Sequence, residues 1–409
     1  MHRRTAKGAL IVAMTAALAL SGCSEKSTDD NGSSGGSGTA GGSNLAIKPQ
    51  LQIDSEGKEA AKSDSANAAN PAGDGKATCA PTSIAMAGAL TGPNAQLGIN
   101  IRDGVKLALD QFTKANGGCK VTLKEFDTEG DPQKATQVVP NIVNDPSIIG
   151  VVGPAFSGET KATGQVFNQA GLVSVTASAT NATLTQNNWK TFFRGLANDD
   201  VQGPSVAKYL VNTAGYKKIC VVEDNSDYGV GLAKSVKAGL GSANTDSCSA
   251  AVKAKDTDFS ATVSKIKSAN PDAIFYSGYY SDAAPFVQQL RDGGVKAVFV
   301  SADGTNDPEF VKLAGSASKD AVLSCPCGPA PDKFAADYEA LNKAKPGVYS
   351  VEGYDLTTIL LKGVTAGKVT RADLLEYVRT YNGPGLARNY KWSPNGELES
   401  ALIWIYKVQ

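Results

Sequence analysis

Residues 153–160, GPAFSGET, follow a short apolar run and open a helical pattern, which is where a phosphate loop of the form GxxxxGK[ST] would stand. Glu159 occupies the lysine position and reverses the charge that would meet a phosphate, so the nucleotide reading fails. What remains is a helix start with unpaired N–H groups and the hydroxyl of Ser157, an arrangement that suits one carboxylate. The same hydroxyl also suits a helix cap, and the two roles are compatible. Ser178 and Thr180 follow the apolar run LVSVT, and Asp303 follows AVFVS just before Gly304. Ligands of open α/β sheets bind at the carboxyl ends of the strands, which is where these residues fall. Asp303 in front of a glycine also fits a simple Asx turn.

Catalytic chemistry is narrowed from the other end of the chain. Arg3, Arg4 and Lys7 precede an apolar run from Gly8 to Leu20, too short to span a bilayer comfortably, which reads as a signal-peptide core. Leu20-Ser21-Gly22-Cys23 resembles a bacterial lipobox, which implies cleavage before Cys23 and diacylglycerol on its sulfur. The general secretory route is expected rather than twin-arginine export, because Thr5 and Ala6 follow the arginine pair. The only histidine is His2, so the processed chain has none. That excludes Ser-His-Asp and Cys-His nucleophiles and histidine-ligated metals. No cofactor and no metal are expected. With 40 Lys+Arg against 40 Asp+Glu the formal charge is +0, which leaves no basic excess for nucleic acid.

Seven cysteines less the lipid-bearing Cys23 leave six, an even number that suits disulfides outside the cytoplasm. Cys79 and Cys119 each precede an apolar run, Cys220 lies in one and Cys248 precedes another. If those runs are adjacent parallel strands, Cys79 pairs with Cys119 and Cys220 with Cys248. Cys325 and Cys327 either bridge each other across Pro326 or stay free thiols.

The elements that carry these residues alternate. Short β-rich runs (SIAMAGAL, VTLKEF, SIIGVVG, LVSVT, then KKICVVED, AAVKA, DAIFYSG, AVFVS) are separated by helical patterns such as 100–116, 228–240 and 282–292. Near-continuous apolar strands between helices predict parallel sheets covered on both faces. The folded part is long enough for two cores, so the fold class is α/β with two doubly wound lobes. Residues 23–78, rich in Ser, Gly and Ala, are expected to form a flexible linker, with Leu45, Ile47, Leu51 and Ile53 left undocked.

One order of motifs ties these pieces together: TGPNAQLG (91–98), EFDTEGDPQKA (125–135), IIGVVGPAFSGET (148–160), SVTASATNATLT (174–185), QGPSVAKYL (202–210), DNSDYGVGLA (224–233), DFSATVSKIK (258–267), YSGYYSDA (276–283), SADG (301–304) and YDLTTIL (354–360). In that order they resemble the substrate-binding proteins of branched-chain amino acid uptake systems, of the type I periplasmic-binding fold, and the resemblance covers nearly all of 80–409. It implies three crossover strands between a first lobe of 79–198 plus 328–397 and a second of 199–327 plus 398–409, after a signal peptide at 1–22.

The same resemblance implies the site. Ser157, Ser178 and Thr180 receive an amino acid's main-chain groups, Asp303 takes its ammonium, and Tyr228 and Tyr279 face the cleft. Tyr280 and Tyr354 are read as packing residues. Leu97 stands where the family often has an aromatic residue, and Phe156 where it has a small or sulfur-containing one; both fall near the side-chain pocket. The function implied is ligand capture by lobe closure and delivery to an ABC permease, by a monomeric lipoprotein outside the cytoplasm and not an enzyme. Two other readings stand beside it: a sensor presenting its ligand to a signalling partner, and a carboxylate-only secreted hydrolase using Asp303 and Glu159.

Overall fold

The structure is a computed structural model and describes residues 44–61, 68–399 and 402–409. Cys23 and the signal segment lie outside the described residues. The chain opens with β1 (Ile47–Ile53) and runs β2 (Cys79–Gly88), α1 (Ala95–Ala115), β3 (Cys119–Asp127), α2 (Pro132–Val143), β4 (Ile148–Val152), α3 (Ser157–Gln169), β5 (Val173–Thr176) and β6 (Phe192–Arg194). A second series follows: α4 (Asp199–Lys208), β7 (Ile219–Asp224), α5 (Asp227–Leu240), β8 (Ala250–Val252), α6 (Ser260–Ala269), β9 (Ala273–Ser277), α7 (Tyr280–Asp292), β10 (Val298–Ser301), α8 (Pro308–Ala314) and β11 (Val322–Cys325). Helices α9 (Asp332–Asn342), α10 (Ser350–Thr365) and α11 (Arg371–Arg379), the hairpin β12 (Asn382–Pro384) with β13 (Asn389–Lys391), and β14 (Ile403–Val408) complete it.

Two sheets result, each the base of one lobe. The first has the order β3-β2-β4-β5-β6 and is parallel throughout. The second has the order β1-β14-β11-β10-β9-β7-β8 and is parallel from β11 to β8. Their strands are apolar on both faces because both faces are covered. Ile84 and Met86 of β2 pack in the cluster that holds Leu97, Ile101 and Val105 of α1. Their alternates Ala85 and Ala87 face Val139 and Ile142 of α2 and Phe167 of α3. A side chain that alternates along a strand must bury against a different helix layer on each side.

Each sheet has one point where strand order reverses, between β2 and β4 and between β7 and β9. The turns leaving β4, β7 and β9 lead directly to Phe156 and Ser157, Tyr228, and Tyr279. The chain passes from the first sheet to the second at 195–198, back at 326–331, and across again between β13 and β14. Disulfides join Cys79 to Cys119 and Cys220 to Cys248, each pair on neighbouring strands or their flanks, and Cys325 bridges Cys327 in the second passage.

The expectation of a loose linker through residue 78 is corrected. β1 pairs antiparallel with β14, from Ile47 opposite Val408 to Ile53 opposite Ile403. Asn116 accepts the Ala77 N–H at 2.9 Å and donates to Ala72 O at 3.0 Å, which fixes the stretch before β2 to the first lobe. The physical cause is an edge: without β1, β14 would present unpaired backbone groups, and Ile53 has an apolar face to bury. Pro49 lies at a register irregularity in this edge strand, where a missing N–H is tolerated.

Ile53 is 1% exposed. Replacing it with alanine is expected to cost about 2–4 kcal/mol in urea unfolding, the usual range for a buried isoleucine. A loss below about 0.5 kcal/mol, the level of an ordinary surface substitution, would show that β1 is not part of the core.

Candidate functional site

The first half of the site is built where β4 turns into α3. Gly153 adopts φ +121, and a Cβ there would lie 2.1 Å from Ala87 O, so only glycine lets the loop leave the sheet at this angle. Phe156 stands in extended conformation at the helix start, and its N–H donates to Glu159 Oε2 at 2.8 Å. Glu159 therefore serves its own helix end, fully buried, with burial lifting its carboxyl to about 7. Ser157 Oγ accepts the Asn181 N–H at 3.2 Å, which ties the helix start to the loop after β5. Ser178 turns its hydroxyl onto Ala155 O. Thr180 is wholly buried, with its hydroxyl beside the Asp199 carboxyl.

The second half converges on Asp303, which follows β10 and is 1% exposed. Gln202 Nε2 donates to its Oδ1 at 2.8 Å and Tyr228 OH to the same oxygen at 3.1 Å. Tyr228 OH in turn accepts the Gly304 N–H at 3.1 Å. From the first lobe, Tyr349 OH donates to Oδ2 at 2.6 Å. Among the described residues no lysine or arginine forms an ion pair with Asp303. Burial pushes its carboxyl above the usual range, and the Tyr349 and Gln202 hydrogen bonds oppose that shift. Burial also holds the phenols of Tyr228, Tyr279 and Tyr349 well above 10, so they stay protonated donors.

A row of aromatic rings joins the two halves. Phe156 and Tyr279 have centroids 4.7 Å apart, and Tyr279 and Tyr228 have centroids 5.1 Å apart. Gly130, at φ +70, makes room for Phe156, since a Cβ there would come within 2.7 Å of the ring. Leu97 is fully buried in the hydrophobic cluster that also takes in Phe156. Other contacts cross between the lobes: Asn100 Nδ2 donates to Asp307 Oδ2 at 2.8 Å, Asn181 Nδ2 to Asp227 O at 2.6 Å, and Lys161 pairs with Asp227 at 2.6 Å. The lobes are thus in contact across the cleft.

Phe156, Tyr279, Tyr228 and Asp303 are joined in one row by ring contacts and a hydrogen bond, while Ser157, Ser178 and Thr180 stand at the α3 start and the loop after β5. Tyr280, read as packing, also reaches across, accepting the Gln96 N–H at 3.3 Å. Tyr354 donates to Gln111 at 2.7 Å within the first lobe. Sequence reasoning missed three residues. Gln202 sits in the quoted QGP motif but had no role there. Asp199, one turn before Gln202, is buried beside the Thr180 hydroxyl. Tyr349 immediately precedes α10 at φ +67, a strained setting for a tyrosine that no sequence pattern marks. Among the described residues no group of three or more acidic, cysteine or histidine side chains could hold a metal ion, and no helix is long and apolar enough to cross a membrane.

Comparison with known proteins gives a consistent result. The family described as periplasmic binding protein matches residues 81–409. The leucine-, isoleucine-, valine-, threonine- and alanine-binding protein of Pseudomonas aeruginosa is 28% identical over 332 residues, 79% of this chain and 89% of that one. The leucine-specific-binding protein of Salmonella typhimurium is likewise 28% identical, over 79% of this chain and 90% of its own. The isoleucine complex of LivJ, a branched-chain amino acid transporter substrate binding protein from Streptococcus pneumoniae, superposes with a TM-score of 0.73 at 25% identity, covering 78% of this chain and 94% of that one.

The buried acids set a pH dependence of stability. Burial raises Asp199 to about 8, Glu159 and Asp355 to about 7, and Asp224 and Asp307 to about 6. These folded values lie above the unfolded ones, so the native chain binds more protons, and the stability present in mild acid is lost as pH rises through about 6 to 8. Asp145, held at about 2 by Lys124 and Ser147, acts only well below this window. The ligand-free protein should melt a few degrees lower at about pH 8 than at about pH 5.5. A melting temperature that rises over that interval would contradict the protonation states assigned here.

Proposed function

The chain belongs to the periplasmic binding protein family, and we propose that it captures one amino acid, branched-chain or of similar small size, between its two lobes. The family consists of substrate-binding proteins rather than enzymes, and a solute-binding role follows from membership. The finer reading rests on one observation above the rest: Asp303 is a buried carboxylate without a cationic partner, approached by donors from both lobes.

A carboxylate has about four acceptor positions, and the three side-chain donors leave one, on Oδ2. The ammonium of an amino acid supplies both the missing hydrogen bond and the missing charge. Its carboxylate lies at the start of α3, where the first N–H groups of the helix, Ser157 Oγ and Thr180 Oγ1 surround it. Ser178 offers backbone, Tyr228 and Tyr279 wall the cleft, and Phe156 and Leu97 bound the side-chain pocket. One molecule then holds half-sites on both lobes, of 79–198 plus 328–397 and 199–327 plus 398–409, with β1 added to the second. The closed state alone makes both sets of contacts, so ligand shifts the population toward it.

In this reading the protein is anchored outside the cytoplasm by lipid on Cys23 and delivers its ligand to an ABC permease. LivJ, a substrate-binding protein of a transporter, supports the permease partner.

Calorimetry with leucine, isoleucine, valine, threonine and alanine tests the site. At least one should bind, and Asp303→Ala should weaken it on the order of 100-fold or more, because the partner charge is left buried alone. Unchanged affinity, with an unchanged circular dichroism spectrum, would remove the ammonium role. Cys23→Ala expressed in a bacterium should move the protein from the membrane to the soluble fraction; full retention on the membrane would remove the anchor.

A further inference from the structure

The parallel strands of the second sheet have two ends, and the site described above occupies one of them. Asp303 follows the carboxyl end of β10, whereas Lys296 precedes its amino end. At that amino end lies a cavity of about 820 Å³ whose wall carries Arg291, Lys296, Lys319 and Lys407 against a single acid, Asp320. In a chain of formal charge +0 this is a local excess of positive charge. Asp320 is already spent on Lys407, at 2.8 Å. Arg291 is oriented through Nη1, which donates to Val295 O at 2.9 Å and Ala297 O at 3.0 Å. Among the described residues Arg291, Lys296 and Lys319 form no ion pair. Further charges at this end are Lys217 and Lys218 ahead of β7, Asp246 ahead of β8, Asp272 ahead of β9 and the exposed Asp292, so the basic excess persists around the cavity.

The strand β1 adds another cation. Lys48 stands directly opposite Lys407 in the β1–β14 register, so two like charges share one face of the sheet. Such a pair disfavours folding, and an anion beside it relieves the repulsion. The half-buried Tyr209 and Tyr216 complete the cavity wall, and tyrosine is a residue type that settles at the level of lipid headgroups. This end is also where the chain enters the lobe. Ala46 and Gln409 exchange both backbone hydrogen bonds, at 2.9 and 3.0 Å, two positions from Lys407. Cys23 lies 21 positions before Asn44. A lipid on Cys23 would therefore keep this end of the second lobe within about 75 Å of chain from the bilayer.

We propose that this basic end of the second lobe docks on the anionic headgroups of the membrane that holds Cys23, with lipid phosphate seated in the cavity among Arg291, Lys296, Lys319 and Lys407. The choice of a membrane as partner rests on the anchor proposed above. Clusters of four or more Lys and Arg residues bind anionic lipid surfaces through their summed field, and the contact weakens as salt screens it. Because β10 separates this end from Asp303, the contact leaves the ligand residues clear of the lipid.

Lysine acetylation, followed by mass spectrometry, tests this on the purified full protein reconstituted into vesicles of phosphatidylcholine and into vesicles rich in phosphatidylglycerol. On phosphatidylglycerol, Lys48, Lys296, Lys319 and Lys407 should react about fivefold or more slowly than on phosphatidylcholine. The exposed Lys333 of the first lobe should react equally on both. A double variant, Lys296→Glu with Lys319→Glu, changes two exposed positions and should lose the slowing at Lys48 and Lys407 while keeping its circular dichroism spectrum. Equal rates on the two vesicle types overturn the inference and leave the anchor standing. Slowing that persists in the folded double variant also overturns it. Inorganic phosphate that slows the same lysines as strongly on phosphatidylcholine assigns the cavity to a free anion and overturns the membrane partner. A protein that stays with neither vesicle overturns both the inference and the anchor. One held by phosphatidylglycerol alone overturns the anchor and supports the basic surface.

Discussion

A carboxylate buried without a counter-ion is the feature around which the cleft is arranged. Removing such a group from water costs several kcal/mol unless hydrogen bonds and an opposite charge compensate. Asp303 has the hydrogen bonds, from Gln202 and Tyr228 on its own side and Tyr349 on the other, but not the charge. Its lobe cannot supply it, because the neighbouring ionisable side chains are acids and phenols. In the proposed reading the compensation arrives with a ligand that is cationic at that end.

The fold decides where such a group can stand. The parallel parts of the two sheets each reverse their strand order once, and the turns at those reversals lead to side chains near one another. The first lobe contributes a helix start and hydroxyls, which favour negative charge; the second contributes acids, which favour positive charge. Neither half would hold a zwitterion well alone. The polarity of the cleft therefore runs from one lobe to the other, and in the proposed reading closing the lobes brings the two poles within reach of one small molecule.

Much of this was readable in the residues. Parallel sheets followed from strands with no polar face, and Asp303, Tyr228 and Tyr279 were named from the family resemblance, Asp303 also because it follows an apolar run. The pairs Cys79–Cys119 and Cys220–Cys248 followed from strand order. What stayed hidden depends on long-range contact. Tyr349 meets Asp303 across 46 positions of chain and lies in no strand or motif. Gln202 and Asp199 lie on a helix whose facing side is set only when α4 packs against α5, β11 and β14. β1 looked like linker because Gly and Ser dominate around it, and only the unpaired edge of β14 gives its alternating Leu51 and Ile53 a place to bury. Glu159 was placed in the cleft as an alternative acid, yet its carboxyl turns back to Phe156 N–H.

The account stands or falls on a positive charge meeting Asp303, and the most direct measurement compares an amino acid with its deaminated twin. Titrating the protein with leucine and with 4-methylpentanoate, which keeps the carboxylate and the branched side chain, isolates the ammonium. Provided leucine is bound, the acid should bind on the order of 100-fold more weakly or not at all, since it leaves the Asp303 charge buried and unpaired. Equal affinity for the two compounds would contradict the central claim.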